Sequence, residues 1–181
     1  MGNNFDEGFG DSFQETTKPR KKEARHMAKK IIKDLGITEA PINLRAIIEH
    51  VQKDYNLHVL SNDLSTNISG MLVKITELED KKEDPTFVLG FNKNDPWCRR
   101  RFTIGHEIGH LLFGTLCNGI IESQSPTETE CHCFSAELLM PKSILKDDFQ
   151  KLQSIPELAK KYLVSEEAVG IKLGDDRLLK F

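Results

Sequence analysis

Between the opener Asn94-Asp95-Pro96 and the stop Gly114, the sequence carries His106-Glu107-Ile108-Gly109-His110, an H-E-x-x-H string. Residues four apart share one face of a helix, so two imidazoles can converge on one cation only if the helix is unbroken through them. The flanks predict such a helix. Asp95 is expected as its N-cap, Pro96 as its first residue, and Phe113 as its last before Gly114. Trp97, Ile104, Ile108 and Leu111 form an apolar stripe expected to be buried, and His106 and His110 share another line with Arg99 and Thr103. Glu107 lies beside the pair, placed to take a proton from a water molecule on the cation. Zn²⁺ suits this donor set, with Zn–N bonds of about 2.0–2.1 Å.

A catalytic zinc keeps three protein ligands and one open position. A second element must therefore return past the helix. The downstream donors are Glu122, Glu128, Glu130, Cys131, His132, Cys133 and Glu137. Ser125-Pro126-Thr127 starts a further helix that must end at Pro141. Glu128 stands at its start and shares a face with His132, so one could ligate while the other orients a ligand from behind. Glu130 points elsewhere, and Glu137 should lie away from the metal. Cys131 and Cys133 diverge on a helix and do not form C-x-x-C, so Cys131 reads as a small core residue. A structural zinc built from Cys117, Cys131, Cys133 and His132 is disfavoured on the same ground.

The rest of the chain must supply a scaffold. At 181 residues it is long enough for one domain with a real core. Four Cys are too few for a disulfide framework. A net charge of −3 argues against binding nucleic acid by charge alone. No basic and apolar leader opens the sequence, no stretch approaches a membrane span, and Asp6 breaks the myristoylation pattern; a cytoplasmic protein is expected. Residues 1–20 are expected to form a disordered tail, although Phe5, Phe9 and Phe13 recur every four residues, the spacing of a short docking element. The basic run from Lys18 to Lys33 reads as the solvated face of a helix whose apolar positions are Met27, Ala28, Ile31, Ile32 and Leu35, stopped by Gly36.

A second helix is expected from Leu44 to about Asp54. Strand-like runs follow at Leu57–Leu60, Ser69–Ile75 and Thr86–Phe91, read as a small meander. The order predicts an α+β fold with a small antiparallel or mixed sheet packed against the H-E-x-x-H helix. Short helical patterns at Pro156–Tyr162 and Ser165–Leu173 complete the chain. The organisation expected is a tail at 1–20, a main domain at 21–145 and a short helical end at 146–181. The last pair resembles the entrance to a helix-turn-helix, but Glu166, Glu167, Asp175 and Asp176 favour packing over DNA binding.

Residues 100–112, RRFTIGHEIGHLL, and 128–141, ETECHCFSAELLMP, resemble the ImmA/IrrE metallopeptidases, whose pattern is close to R-F-T-x-A-H-E-x-G-H and E-x-x-x-N-x-F-A-A-x-L-L-M-P. Weaker likeness extends the resemblance over about residues 23–145. It implies His106, His110 and Glu128 as ligands of one Zn²⁺, Glu107 as catalytic base, and a zincin-like fold. It also implies a zinc endopeptidase that cleaves a helix-turn-helix repressor, in stress response or mobile-element control, with no nucleic acid or membrane partner. His132 stands where the family has Asn, and is expected to support a ligand from behind. Gly105 stands where Ala is common, a change costing about 1 kcal/mol of helix propensity. Substrate is expected to add as a strand along Thr86–Phe91. No residue stands out as oxyanion stabiliser; Tyr55, Tyr162, His132 and the arginines are candidates. The rival is a zinc-containing anti-repressor that acts by binding alone.

Overall fold

The computed structural model describes residues 18–76, 84–116 and 125–179. Among these, seven helices and one three-stranded sheet make a mixed α+β fold. The expected tail falls outside the described residues through position 17, as do Cys117 and Glu122.

Helix α1 (Lys21–Asp34) buries Ala24, Ala28, Ile31 and Ile32 and leaves its lysines in solvent. Helix α2 (Leu44–Val51) starts under Asn43, whose side chain accepts from the Arg45 and Ala46 amides. It ends three residues before the expected Asp54. Strands β1 (Asn56–Asn62), β2 (Gly70–Ile75) and β3 (Thr86–Asn92) follow.

Their order corrects the expected meander. The sheet runs β1-β3-β2, with β3 parallel to β1 and antiparallel to β2. The strand that buries the most positions takes the centre: Phe87, Leu89, Gly90 and Asn92 of β3 are all buried. Asn92 then organises the crossing between β1 and β2. Its side-chain amide donates to the carbonyls of Leu64, Ser65 and Ile68, and its backbone N–H donates to that of Ser69.

Helix α3 (Trp97–Leu112) lies between the sheet and α4 (Pro126–Leu139), and α1 covers the far side of α4. Pro96, not Asp95, occupies the N-cap of α3, and the Asp95 carboxylate faces Arg99 at 3.5 Å. The stripe is buried at Ile104, Ile108 and Leu111, but Trp97 is 57% exposed with the Arg100 guanidinium over its ring. Trp97 is the first residue of the helix, ahead of the stretch that enters the core at Arg101. Gly114, at φ +68°, ends the helix as expected. Ser125 caps α4 by accepting from the Glu128 amide.

Helices α5 (Lys142–Leu152), α6 (Ile155–Tyr162) and α7 (Glu166–Asp175) complete the chain. No pattern singled out α5. Its core contact is Leu145, and Asp148, nearly one turn on, accepts a hydrogen bond from the Tyr162 hydroxyl and pairs with Lys161. No helix among the described residues is long and apolar enough to cross a membrane.

Candidate metal centre

Two glycines let α4 approach α3. A β-carbon at Gly109 would sit 3.2 Å from the Cys131 backbone, and one at Gly105 would sit 2.6 Å from Ser135 Oγ. Side chains at either position would push α4 away. With none, the first turn of α4 lies over His106 and His110. Cys131, fully buried at that crossing, is the core residue its spacing suggested.

Three donors therefore converge, one from α4 and two from α3. His106 Nε2 lies 3.0 Å from Glu128 Oε2, His110 Nε2 lies 3.1 Å from Glu128 Oε1, and the two nitrogens are 3.1 Å apart. All three residues are buried. For metal–ligand bonds of about 2.0–2.2 Å and tetrahedral angles, neighbouring ligand atoms stand about 3.3–3.6 Å apart. The observed triangle is only slightly tighter, and among the described residues it is the group that could hold a metal ion.

The proton positions agree. Thr115 Oγ1 donates to the His110 carbonyl at 3.3 Å and lies 2.9 Å from His110 Nδ1. A hydroxyl has one proton, so Nδ1–H donates to Thr115 and Nε2 presents its lone pair to the centre. Burial holds the His106 imidazole below its usual pKa, against the pull of Glu128. Burial opposes ionisation of Glu128 as well, yet the two imidazoles set against it hold its carboxyl well below the ordinary range. The forms favoured at neutral pH are a neutral imidazole and a carboxylate, which bind cations.

Glu107 is 2% exposed and lies against the start of β2. A β-carbon at Gly70 would be 2.9 Å from its carboxylate oxygen and 2.4 Å from Thr103. Gly70 thus leaves the space that Glu107 occupies. His132 is exposed, and its Nδ1–H donates to the Glu128 carbonyl at 2.7 Å. Its ring centroid stands 4.5 Å from that of His106. It contacts the centre without joining the triangle.

The other candidates are engaged elsewhere. Glu130 accepts three hydrogen bonds from Arg20, and Glu137 binds Lys172 and the Lys142 amide. Tyr162 is fully buried, with its hydroxyl donating to Asp148, and cannot reach a substrate. Tyr55 packs edge-on against Phe87. Two contributors escaped sequence reasoning. Thr115 carries no periodic signal, although it lies directly beyond the helix stop. Gly70 opens a strand and touches Glu107 only through the tertiary fold.

The family model for the IrrE N-terminal-like domain, Peptidase M78, matches residues 52–174, from the end of α2 into α7. No curated protein matches the chain significantly. Among solved structures, a chain named as a Mycobacterium tuberculosis transcriptional regulator is similar, with a TM-score of 0.60 at 15% identity. The similarity covers 84% of this chain and 55% of that one, so this chain spans little more than half of its neighbour.

Proposed function

The chain belongs to the Peptidase M78 family of IrrE N-terminal-like domains, and from that premise we propose that it is a zinc-dependent endopeptidase with a zincin-like centre. The observation that carries this is the convergence of His106, His110 and Glu128, with Glu107, the residue after the first of them on the same helix, buried at 2% exposure. A protein that held zinc only for structure would need the triangle but not a buried carboxylate next to it.

A Zn²⁺ ion held by His106, His110 and Glu128 would polarise the scissile carbonyl and acidify a water molecule. Glu107 accepts the water's proton and delivers it to the leaving amine. His132 holds the backbone of Glu128 through Nδ1–H and keeps that ligand in place. Thr115 fixes the His110 ring in the tautomer that ligates.

The expected substrate edge needs correcting. Thr86–Phe91 is hydrogen-bonded to β1 on one side and β2 on the other, so it cannot accept another strand. The edge that leads to Glu107 is β2, which among the described residues pairs only with β3 and begins at Gly70. A substrate strand added there runs toward the base. The target proposed is a helix-turn-helix repressor, and the likeness to a chain named as a transcriptional regulator supports a regulatory target.

The test is incubation of the zinc-loaded protein, and of Glu107→Gln, with a helix-turn-helix repressor encoded beside this gene, followed by mass spectrometry. Wild type should cut at one site, and the variant should retain zinc but cut at least 100-fold more slowly. Equal rates would remove Glu107 from the mechanism. An intact repressor with both proteins would favour action by binding alone.

A further inference from the structure

Beside the metal centre lies a groove that the proposed chemistry does not use. It holds about 570 Å³, within the range of ligand pockets. Phe102 and Cys98 of α3, Cys133 and Ala136 of α4, and Ala168 and Ile171 of α7 give it an apolar lining. Among the described residues Ile171 is 60% exposed. The α7 wall is fixed, because buried Lys172 on α7 binds buried Glu137 on α4. His132 forms the end of the groove nearest the triangle.

We propose that this groove is the docking site of the chain's own N-terminal segment, with Phe5, Phe9 and Phe13 seated in it. Three observations select this occupant. The first is spacing: the three rings recur every four residues, so they fall on one side of a helical turn, in a stretch otherwise polar and acidic. The second is attachment. Arg20 is clamped to Glu130 of α4, Lys21 lies close enough to act on the Cys133 thiol, and Arg25 lines the groove itself. The five steps from Phe13 to Lys18 span up to about 17 Å when extended, enough to reach back from that root. A tethered segment also meets its site at an effective concentration of the order of millimolar, so even weak apolar contacts hold it.

The third is charge. Residues 1–17 carry Asp6, Glu7, Asp11 and Glu15 and no basic residue. The groove's lining carries Arg25, Arg99 and Lys172 against Glu167 and Asp175, with Arg25 paired to Asp175 at 3.3 Å, and Lys21 and Lys22 precede Arg25 on α1.

The groove's own cysteines report occupancy without any use of peptidase activity. Full-length protein is labelled with N-ethylmaleimide, and the rates at Cys98, Cys133 and buried Cys131 are read by mass spectrometry. The triple substitution Phe5→Ser, Phe9→Ser and Phe13→Ser should speed labelling of Cys98 and Cys133 roughly tenfold, because a covered thiol reacts only from its open state. Cys131 should stay slow in both proteins, which shows that the fold is intact. Equal rates at Cys98 and Cys133 overturn the proposal. So does protection that grows with protein concentration, which would mean that a second copy fills the groove. In a second arm, Phe9→Cys under mild oxidation with diamide should form a disulfide to Cys98 or Cys133 at a concentration-independent rate; a bond to neither overturns it.

Discussion

At the scale of single residues, Gly105 and Ser135 are matched to each other. Ser135 Oγ donates to the Phe102 carbonyl at 2.8 Å and occupies the volume that a β-carbon at Gly105 would need. Gly105→Ala is therefore expected to destabilise the protein by about 1–3 kcal/mol through overpacking, despite the ~1 kcal/mol that alanine adds in helix propensity. In a Ser135→Ala background the same change should stabilise. Urea unfolding of the four proteins checks this, and additive effects would show that the two sites do not touch. Gly105, in place of the family's usual Ala, thus looked like a minor loss of propensity in sequence but meets a packing requirement in the fold. His132 offers a second comparison. If it only supports Glu128, His132→Ala should weaken zinc binding by roughly 10–100-fold, and Glu128→Ala should weaken it further. Competition with a chromophoric chelator measures both; equal losses would make His132 a ligand.

At the scale of elements, α7 is joined to α4 by ions inside the core. Lys172 is 3% exposed and binds Glu137 and, at 2.7 Å, Asp176. Lys172→Met leaves two buried carboxylates without their main partner, and should cost about 3–5 kcal/mol. A loss under 1 kcal/mol in urea unfolding would show that Lys142, Lys29 and Arg25 suffice to compensate them. Between α5 and α6, Asp148 gives a pH-dependent link. Burial pushes its carboxyl up, but hydrogen bonds from Lys161 and Tyr162 and the lysine's charge overcome that and hold it below its ordinary pKa. A carboxyl depressed in the folded state contributes stability above its unfolded pKa of about 4 and loses it as pH falls through the folded value. Asp148→Asn should therefore lower the melting temperature at pH 7 and reduce the further loss on acidification below pH ~4. Parallel curves for the two proteins from pH 7 to pH 2 would count against this link.

At the scale of the whole molecule, the metal triangle joins the two central helices of the stack. Its three residues come together only in the folded chain, so zinc held there would add to folding stability by mass action, about 2.7 kcal/mol at a hundredfold excess over Kd. One equivalent or more of Zn²⁺ should raise the melting temperature by roughly 5–10 °C, and a chelator should reverse it. Glu128→Ala should abolish most of the shift; an unshifted wild type would mean that the triangle holds no zinc. Much of this centre was legible beforehand. The caps and stops around α3 and α4, the three strands and the shared face of His106 and His110 follow from patterns only a few residues long. Those patterns depend on backbone geometry and burial within one element, which neighbouring residues determine by themselves. Resemblance to a family selected Glu128 over its rivals. What local pattern could not supply were relations between distant segments: β3 at the centre of the sheet, Trp97 outside the core, Gly70 beneath Glu107, and Thr115 turning the ring of His110. The donor pair and the helix that carries it belong to the sequence alone. The distance of Glu128 from the two imidazoles, the burial of Glu107 against Gly70 and the edge position of β2 among the described residues were decided by tertiary structure, because each depends on how closely two separately specified surfaces can pack.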